Sequence, residues 1–220
     1  MKFNVTDDVK DLGVKVVGVV IEGLDNKNIT PEYLDYRNNE MKKLLEAYSN
    51  FDIKEDKILE GFNKLHDNAG VKRRKNVPAS ENLIKLLQKN NGMFEINKVV
   101  DIYNIISMKS KLCLGAHDID KVVGNITLKI TDGSEKFIPI GGEEKQLDAG
   151  EYSYVDDSNE IICRLEVRQV EKTKITEDAK NVFYIVQGNE ETSEEYVRNV
   201  AQDIIDITTK YCGGKGRILK

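Results

Sequence analysis

The chain has 220 residues, 40% hydrophobic and 32% charged, with a net charge of −5. That is enough apolar chain for one large domain with a real core, and no apolar run approaches the roughly 18–20 residues of a membrane span. Three cysteines, odd in number and without CxxC spacing, argue for reduced thiols and against a zinc site.

The N-terminal "MKFNVTDDVKD" lacks a hydrophobic signal segment, so the expected location is the cytoplasm. Two strands are predicted first: "KFNV", and the apolar run over residues 14–21. Thr30 and Pro31 read as N-cap and first turn of a helix running to about Tyr48. A second helix is expected over residues 54–66, with Ile58, Leu59, Phe62 and Leu65 at helical spacing. A basic loop, "VKRRK" at residues 71–75, leads to a short helix with Ser80 as cap and Asn91-Gly92 as terminator. Asn97 then caps another helix. Past Gly124 the period changes to two: "NITLKI" alternates Ile126, Leu128 and Ile130, "TDGSE" offers a hairpin turn, and "KFIPI", "EYSYVD", "EIICRLEV" and "NVFYIVQ" continue as strands. A closing helix spans about residues 192–212, with Thr192 and Glu195 as a capping box and Gly213-Gly214 at its end. Helices followed by a strand-rich region predict an α+β fold: one domain over residues 1–220, a central, mostly antiparallel sheet flanked by helices.

The helix after Asn97 stands out. Apolar side chains from Val99 to Met108 point in every direction, as in a buried helix. Yet Asp101, Asn104 and Ser107, three apart each time, run a polar stripe through it. Buried polar groups need partners, at a cost of roughly 1–3 kcal/mol when unpaired, so the stripe is a candidate pocket wall.

Other candidates are less organised. His66 and His117 are the only histidines; "HDID" adds Asp118 and Asp120 to the second, a local cluster without a second histidine, and no metal is expected. Cys113 and His117, four apart, could form a thiol–imidazole pair, although a buried cysteine is more often a small core hydrophobe. No GxSxG, Walker-type loop or dinucleotide fingerprint is present, and no cofactor is expected. Arg73, Arg74 and Lys75 could neutralise phosphates, although the acidic balance is unusual for a nucleic-acid binder. Arg168, at a strand end, could hold an anion.

The order "INKVVDIYNIISM", "LGAHDIDKVVGNITLKI" and "YVDDSNEII" resembles the tRNA-editing module of the beta subunit of bacterial phenylalanyl-tRNA synthetase. The resemblance covers residues 71–187. Residues 1–70 lie outside it, and the closing helix follows it. It implies an editing-domain-like α+β fold, here free-standing, that binds the 3′ end of mischarged tRNA and hydrolyses the ester to the wrong amino acid. It places Asn104 in the amino-acid pocket. The sequence departs from the family elsewhere: Gly115 stands where the synthetase has a functional histidine, with His117 two positions on. Ile185 falls near its tyrosine-recognising glutamate, and Arg168 and Gln169 near its glycine-rich turn.

The resulting expectation is an aminoacyl-tRNA or tRNA-binding protein that acts as a deacylase in trans. His117 is the candidate catalytic group, contacting water or ligand. Asn104, Asp101, Ser107, Arg168 and Gln169 are expected at the substrate, and Arg73, Arg74 and Lys75 at phosphates. Two alternatives stand beside it: an RNA- or amino-acid-binding module without chemistry, and a small-molecule enzyme using His117 with Asp118 or Asp120.

Overall fold

A computed structural model describes residues 1–219. Strand β1 (Phe3–Val5) and a short helix α1 (Asp7–Asp11) precede the long strand β2 (Lys15–Glu22). Four helices follow: α2 (Pro31–Tyr48), α3 (Lys57–Asn68), α4 (Ala79–Asn90) and α5 (Lys98–Ser110). Strands β3 (Cys113–Asp118), β4 (Ile126–Ile130), β5 (Tyr152–Asp156), β6 (Ile161–Arg164), β7 (Arg168–Gln169) and β8 (Asn181–Gly188) come next, then α6 (Glu194–Cys212) and β9 (Lys215–Ile218).

The α+β class holds, and the strands divide between two sheets. One has the order β1-β4-β5-β6-β7, with β1 parallel to β4 and the rest antiparallel; the other, β3-β8-β2-β9, is antiparallel throughout. Alternation along β8 shows how they stack. Val182, Tyr184 and Val186 face a core shared with α5 and α6, whereas Phe183 and Ile185 face the other sheet. On β3, Leu114 and Ala116 point to the helices and Cys113 points between the sheets. Phe3 crosses that gap, with ring centroids 6.1 Å from Tyr154 and 5.5 Å from Phe183. Gly18 makes the crossing possible, because a Cβ there would stand 2.9 Å from both the Phe3 and Phe183 rings.

Helix α5 is apolar all round because it has two sets of partners. Val99, Ile102 and Ile106 pack with α6 and the four-stranded sheet, while Ile105 and Met108 pack with α2, α3 and α4. Its N-cap is Asn97, whose side chain accepts from the Val100 amide at 3.1 Å. Thr30 caps α2 in the expected way.

Several local expectations are corrected. The cap of α6 is Ser193, which accepts from Tyr196 N; the neighbouring Thr192 instead accepts from the Asn189 amide. Ser80 lies inside α4, not at its cap. "TDGSE" does turn, with Asp132 accepting from Ser134 N at 2.8 Å, but it does not join adjacent strands. The partner of β4 is β5, and "KFIPI" makes only isolated bridges. No helix among the described residues is long and apolar enough to cross a membrane.

Candidate functional site

A cavity of about 730 Å³ opens at one end of the space between the sheets. Its floor is Gly115 of β3 and Ile185 of β8, which pair directly in the sheet. Tyr103 and Asn104 of α5 form one wall, and the β6–β7 hairpin with Glu166, Val167, Arg168 and Gln169 forms the opposite one. Arg74 and Lys75 stand at the rim, with the exposed apolar side chains of Ile96 and Ile140.

The hairpin wall is held under strain. Leu165 has φ of 52°, in the left-handed region that a non-glycine residue rarely adopts. Its buried side chain fixes the turn in the inter-sheet core, and Glu166 follows directly. The Glu166 carboxylate is buried against His66 Nε2 at 2.6 Å and accepts from the Tyr152 hydroxyl and, at 3.4 Å, from Gln187 Nε2. Burial works to lower the His66 pKa, but the charge and hydrogen bond of Glu166 outweigh it and raise the value above that of an ordinary histidine.

Asn104, Arg168 and Gln169 come together at the cavity with Arg74 and Lys75. The Asn104 side chain is half-buried, and none of the hydrogen bonds among the described residues involves it. Arg74, Lys75 and Arg168 have no ion-pair partner among the described residues, whereas Arg73 is turned away, paired with Asp67 and with Glu60 at 3.2 Å.

Asp101 and Ser107 do not support Asn104. Asp101 accepts from Tyr33 Oη and Arg37 Nε, each at 3.2 Å, and from the Ile96 amide at 3.0 Å. It thereby ties α2 and the preceding loop to α5. Burial raises its pKa against the pull of those partners. Ser107 donates to the Leu112 carbonyl at 2.6 Å and closes the end of the helix.

His117 is fully buried and lies outside the cavity surface. Its Nδ1 is 2.9 Å from Thr173 Oγ1, and burial pushes its pKa down to about 3, so the ring is neutral. Asp118 accepts from the Asp120 amide and pairs with Lys121, while Asp120 accepts from the Asn181 side chain. The "HDID" groups therefore do not converge. Cys113 Sγ contacts Ser80 Oγ at 3.3 Å, and burial raises its pKa, as it raises that of Cys163 in the same cavity. Neither thiol is a ready nucleophile. No group of three or more metal-ligating side chains occurs among the described residues.

Residues 69–213 match the family model described as the B3/4 domain. The chain belongs to that family. This B3/4 domain is 32% identical over 92 residues to the phenylalanine–tRNA ligase beta subunit of Fusobacterium nucleatum, a match covering 42% of this chain and 11% of the relative. It is 30% identical over 151 residues to the corresponding subunit of Aquifex aeolicus, covering 59% of this chain and 20% of the relative. The chain thus spans a fifth or less of these two relatives. An N-terminal fragment of the phenylalanyl-tRNA synthetase beta-subunit from Pyrococcus horikoshii superposes with a TM-score of 0.51 at 16% identity, covering 98% of this chain and 50% of that one. That likeness concerns the fold.

Sequence reasoning overlooked the buried His66–Glu166 pair and the contribution of Tyr103. Tyr103 could have been found, since it precedes Asn104 on the same helix. The ion pair joins distant segments and leaves no local signal.

Proposed function

We propose that this B3/4 domain binds the aminoacyl end of tRNA in the inter-sheet cavity and acts there in trans on mischarged aminoacyl-tRNA. The observation that carries the reading is convergence: Asn104, Arg168 and Gln169 line a single recess whose rim holds the unpaired cations Arg74 and Lys75. Cations on a rim suit a phosphate backbone. Exposed Ile96 and Ile140 beside them offer apolar surface to unstacked bases. The recess is large enough for an aminoacyl group, and the half-buried Asn104 and Gln169 amides can orient it.

Hydrolysis would proceed by attack of water on the ester carbonyl, since the cavity offers no activated nucleophile. The domain's part is orientation and hydrogen bonding to the developing oxyanion, which are large terms in a water-excluded site. Release of free amino acid from a panel of mischarged tRNAs tests this, with Asn104→Ala expected to reduce turnover on the preferred member. Absence of turnover above background on every member overturns the hydrolase reading.

A second reading, binding without chemistry, is favoured by the neutral His117 lying behind the cavity surface. It predicts salt-dependent tRNA affinity, weakened by Asn104→Ala, with no product formed.

A further inference from the structure

Cys113, Gly115 and His117 share the inter-sheet face of β3. The first two line the cavity; the third lies just beyond it. The His117 ring is engaged on one side only: Nδ1 meets Thr173 Oγ1, while Nε2 is fully buried with no hydrogen-bond partner among the described residues. Such an atom is costly, about 1–3 kcal/mol if nothing ever satisfies it. It points back along the strand. The position that a Cβ of Gly115 would occupy lies 4.0 Å from His117 Nε2 and 2.9 Å from Gln169 Nε2. Two side-chain nitrogens therefore converge on the bare face of one cavity-lining glycine.

Of the two, Gln169 is the one that can move, at the cost of its contact with the Tyr103 hydroxyl. It sits half-buried on the two-residue edge strand β7, and its long side chain has several accessible rotamers. We propose that the face of Gly115 is a closed polar subsite: when the Gln169 side chain swings aside, the cavity extends over Gly115 to His117 Nε2, which hydrogen-bonds an uncharged polar group at the buried end of the ligand. The proposal rests on the reading of the cavity as the seat of an aminoacyl group, and it names the chemistry of that group.

Charge is disfavoured there. The groups nearest the spot are the neutral imidazole, the Thr173 hydroxyl behind it, and the Gln169 amide with the Tyr103 hydroxyl that it contacts, none of them charged, so a carboxylate or ammonium would be buried there without an adjacent counter-ion. A purely apolar group would leave Nε2 unsatisfied. A hydroxyl or a carboxamide both donates and accepts, and so fits whichever tautomer Thr173 selects.

The test uses stable amide analogues, 3′-aminoacylamino-3′-deoxyadenosines, in matched polar and apolar pairs: threonyl with valyl, tyrosyl with phenylalanyl, and glutaminyl with methionyl. Calorimetry is expected to find at least one polar member about tenfold tighter than its partner, the ordinary yield of one buried hydrogen bond. His117→Leu should collapse that preference while retaining affinity for the apolar partner. Equal affinities within every pair that binds, or a preference that survives His117→Leu, would overturn the proposal. Failure of all six analogues to bind would instead count against the reading of the cavity. The subsite is then judged without ligand, through ¹⁵N NMR titration of His117 in Gln169→Ala. Opening should bring the imidazole from about 3 towards its ordinary 6.5, and an unmoved titration overturns the proposal on its own.

Discussion

His66 and Glu166 are 100 residues apart in the chain and 2.6 Å apart in space, Nε2 to Oε1, and both are closed off from solvent. The pair fastens α3 to the wall of the cavity. Truncating one partner strands the other, which typically costs about 3–5 kcal/mol for a buried ion pair. Glu166→Ala should therefore lower unfolding stability by that order in urea titrations at pH 6, and a loss under about 1 kcal/mol would make the contact incidental. Because the folded His66 pKa is raised, the contribution is complete below the unfolded value near 6.5 and is lost as pH climbs through the higher folded value.

His117 works in the opposite direction. The unfolded chain takes up a proton on this ring near pH 6.5, but the folded chain only near pH 3. Stability should fall as pH drops through that window, by about 2 kcal/mol at pH 5 relative to pH 7. His117→Gln removes the titrating group, so the drop between pH 7 and pH 5 should shrink by that amount in paired denaturation curves. An unchanged drop would show that the ring is already open to water.

Three charges of the "VKRRK" segment, Arg73, Arg74 and Lys75, and Arg168 should separate experimentally. Arg74→Ala, Lys75→Ala and Arg168→Ala are expected to weaken tRNA binding, each reducing the salt dependence of log K by about one unit. Arg73→Ala should leave the slope alone, because its guanidinium is occupied by Asp67 and Glu60. Filter-binding or fluorescence titrations across salt concentrations would decide this, and a shared slope change for all four would refute the distinction.

Gly115→Ala tests the floor. The new Cβ would meet the tip of the Gln169 side chain at 2.9 Å, a flexible group that can move, and not backbone. Thermal unfolding should therefore change by no more than about 1 kcal/mol. The methyl group itself, 4.0 Å from His117 Nε2, would fill the face that the ligand needs and should cost the protein affinity for it. Unaltered binding of the best analogue would place the ligand elsewhere.

The helices were legible because their apolar spacing is local. The all-round apolar face of α5 was legible too, but not its cause, since spacing cannot say that one side meets α6 and the other α2 and α4. Nor could spacing distribute the polar stripe. Asn104 reaches the cavity, while Asp101 is taken by Arg37 and Tyr33 and Ser107 by the Leu112 carbonyl. Strand β3 went unread because both its faces are buried and Gly115, His117 and Asp118 interrupt the apolar run. The "TDGSE" turn shows a different limit. Asx geometry specifies a reversal of the chain but not its partner, and β4 finds β5 about twenty residues further on. The α6 cap turned on adjacent hydroxyls, Thr192 and Ser193, between which pattern alone does not choose.

No single stretch of the chain can build the recess. Arg74, Asn104, Gly115, Gln169 and Ile185 belong to separate segments that meet only when both sheets have closed on each other. A ligand that recognises this arrangement has nothing to grip on a half-made molecule, so its binding would report completed folding and would add to the stability of the finished state alone.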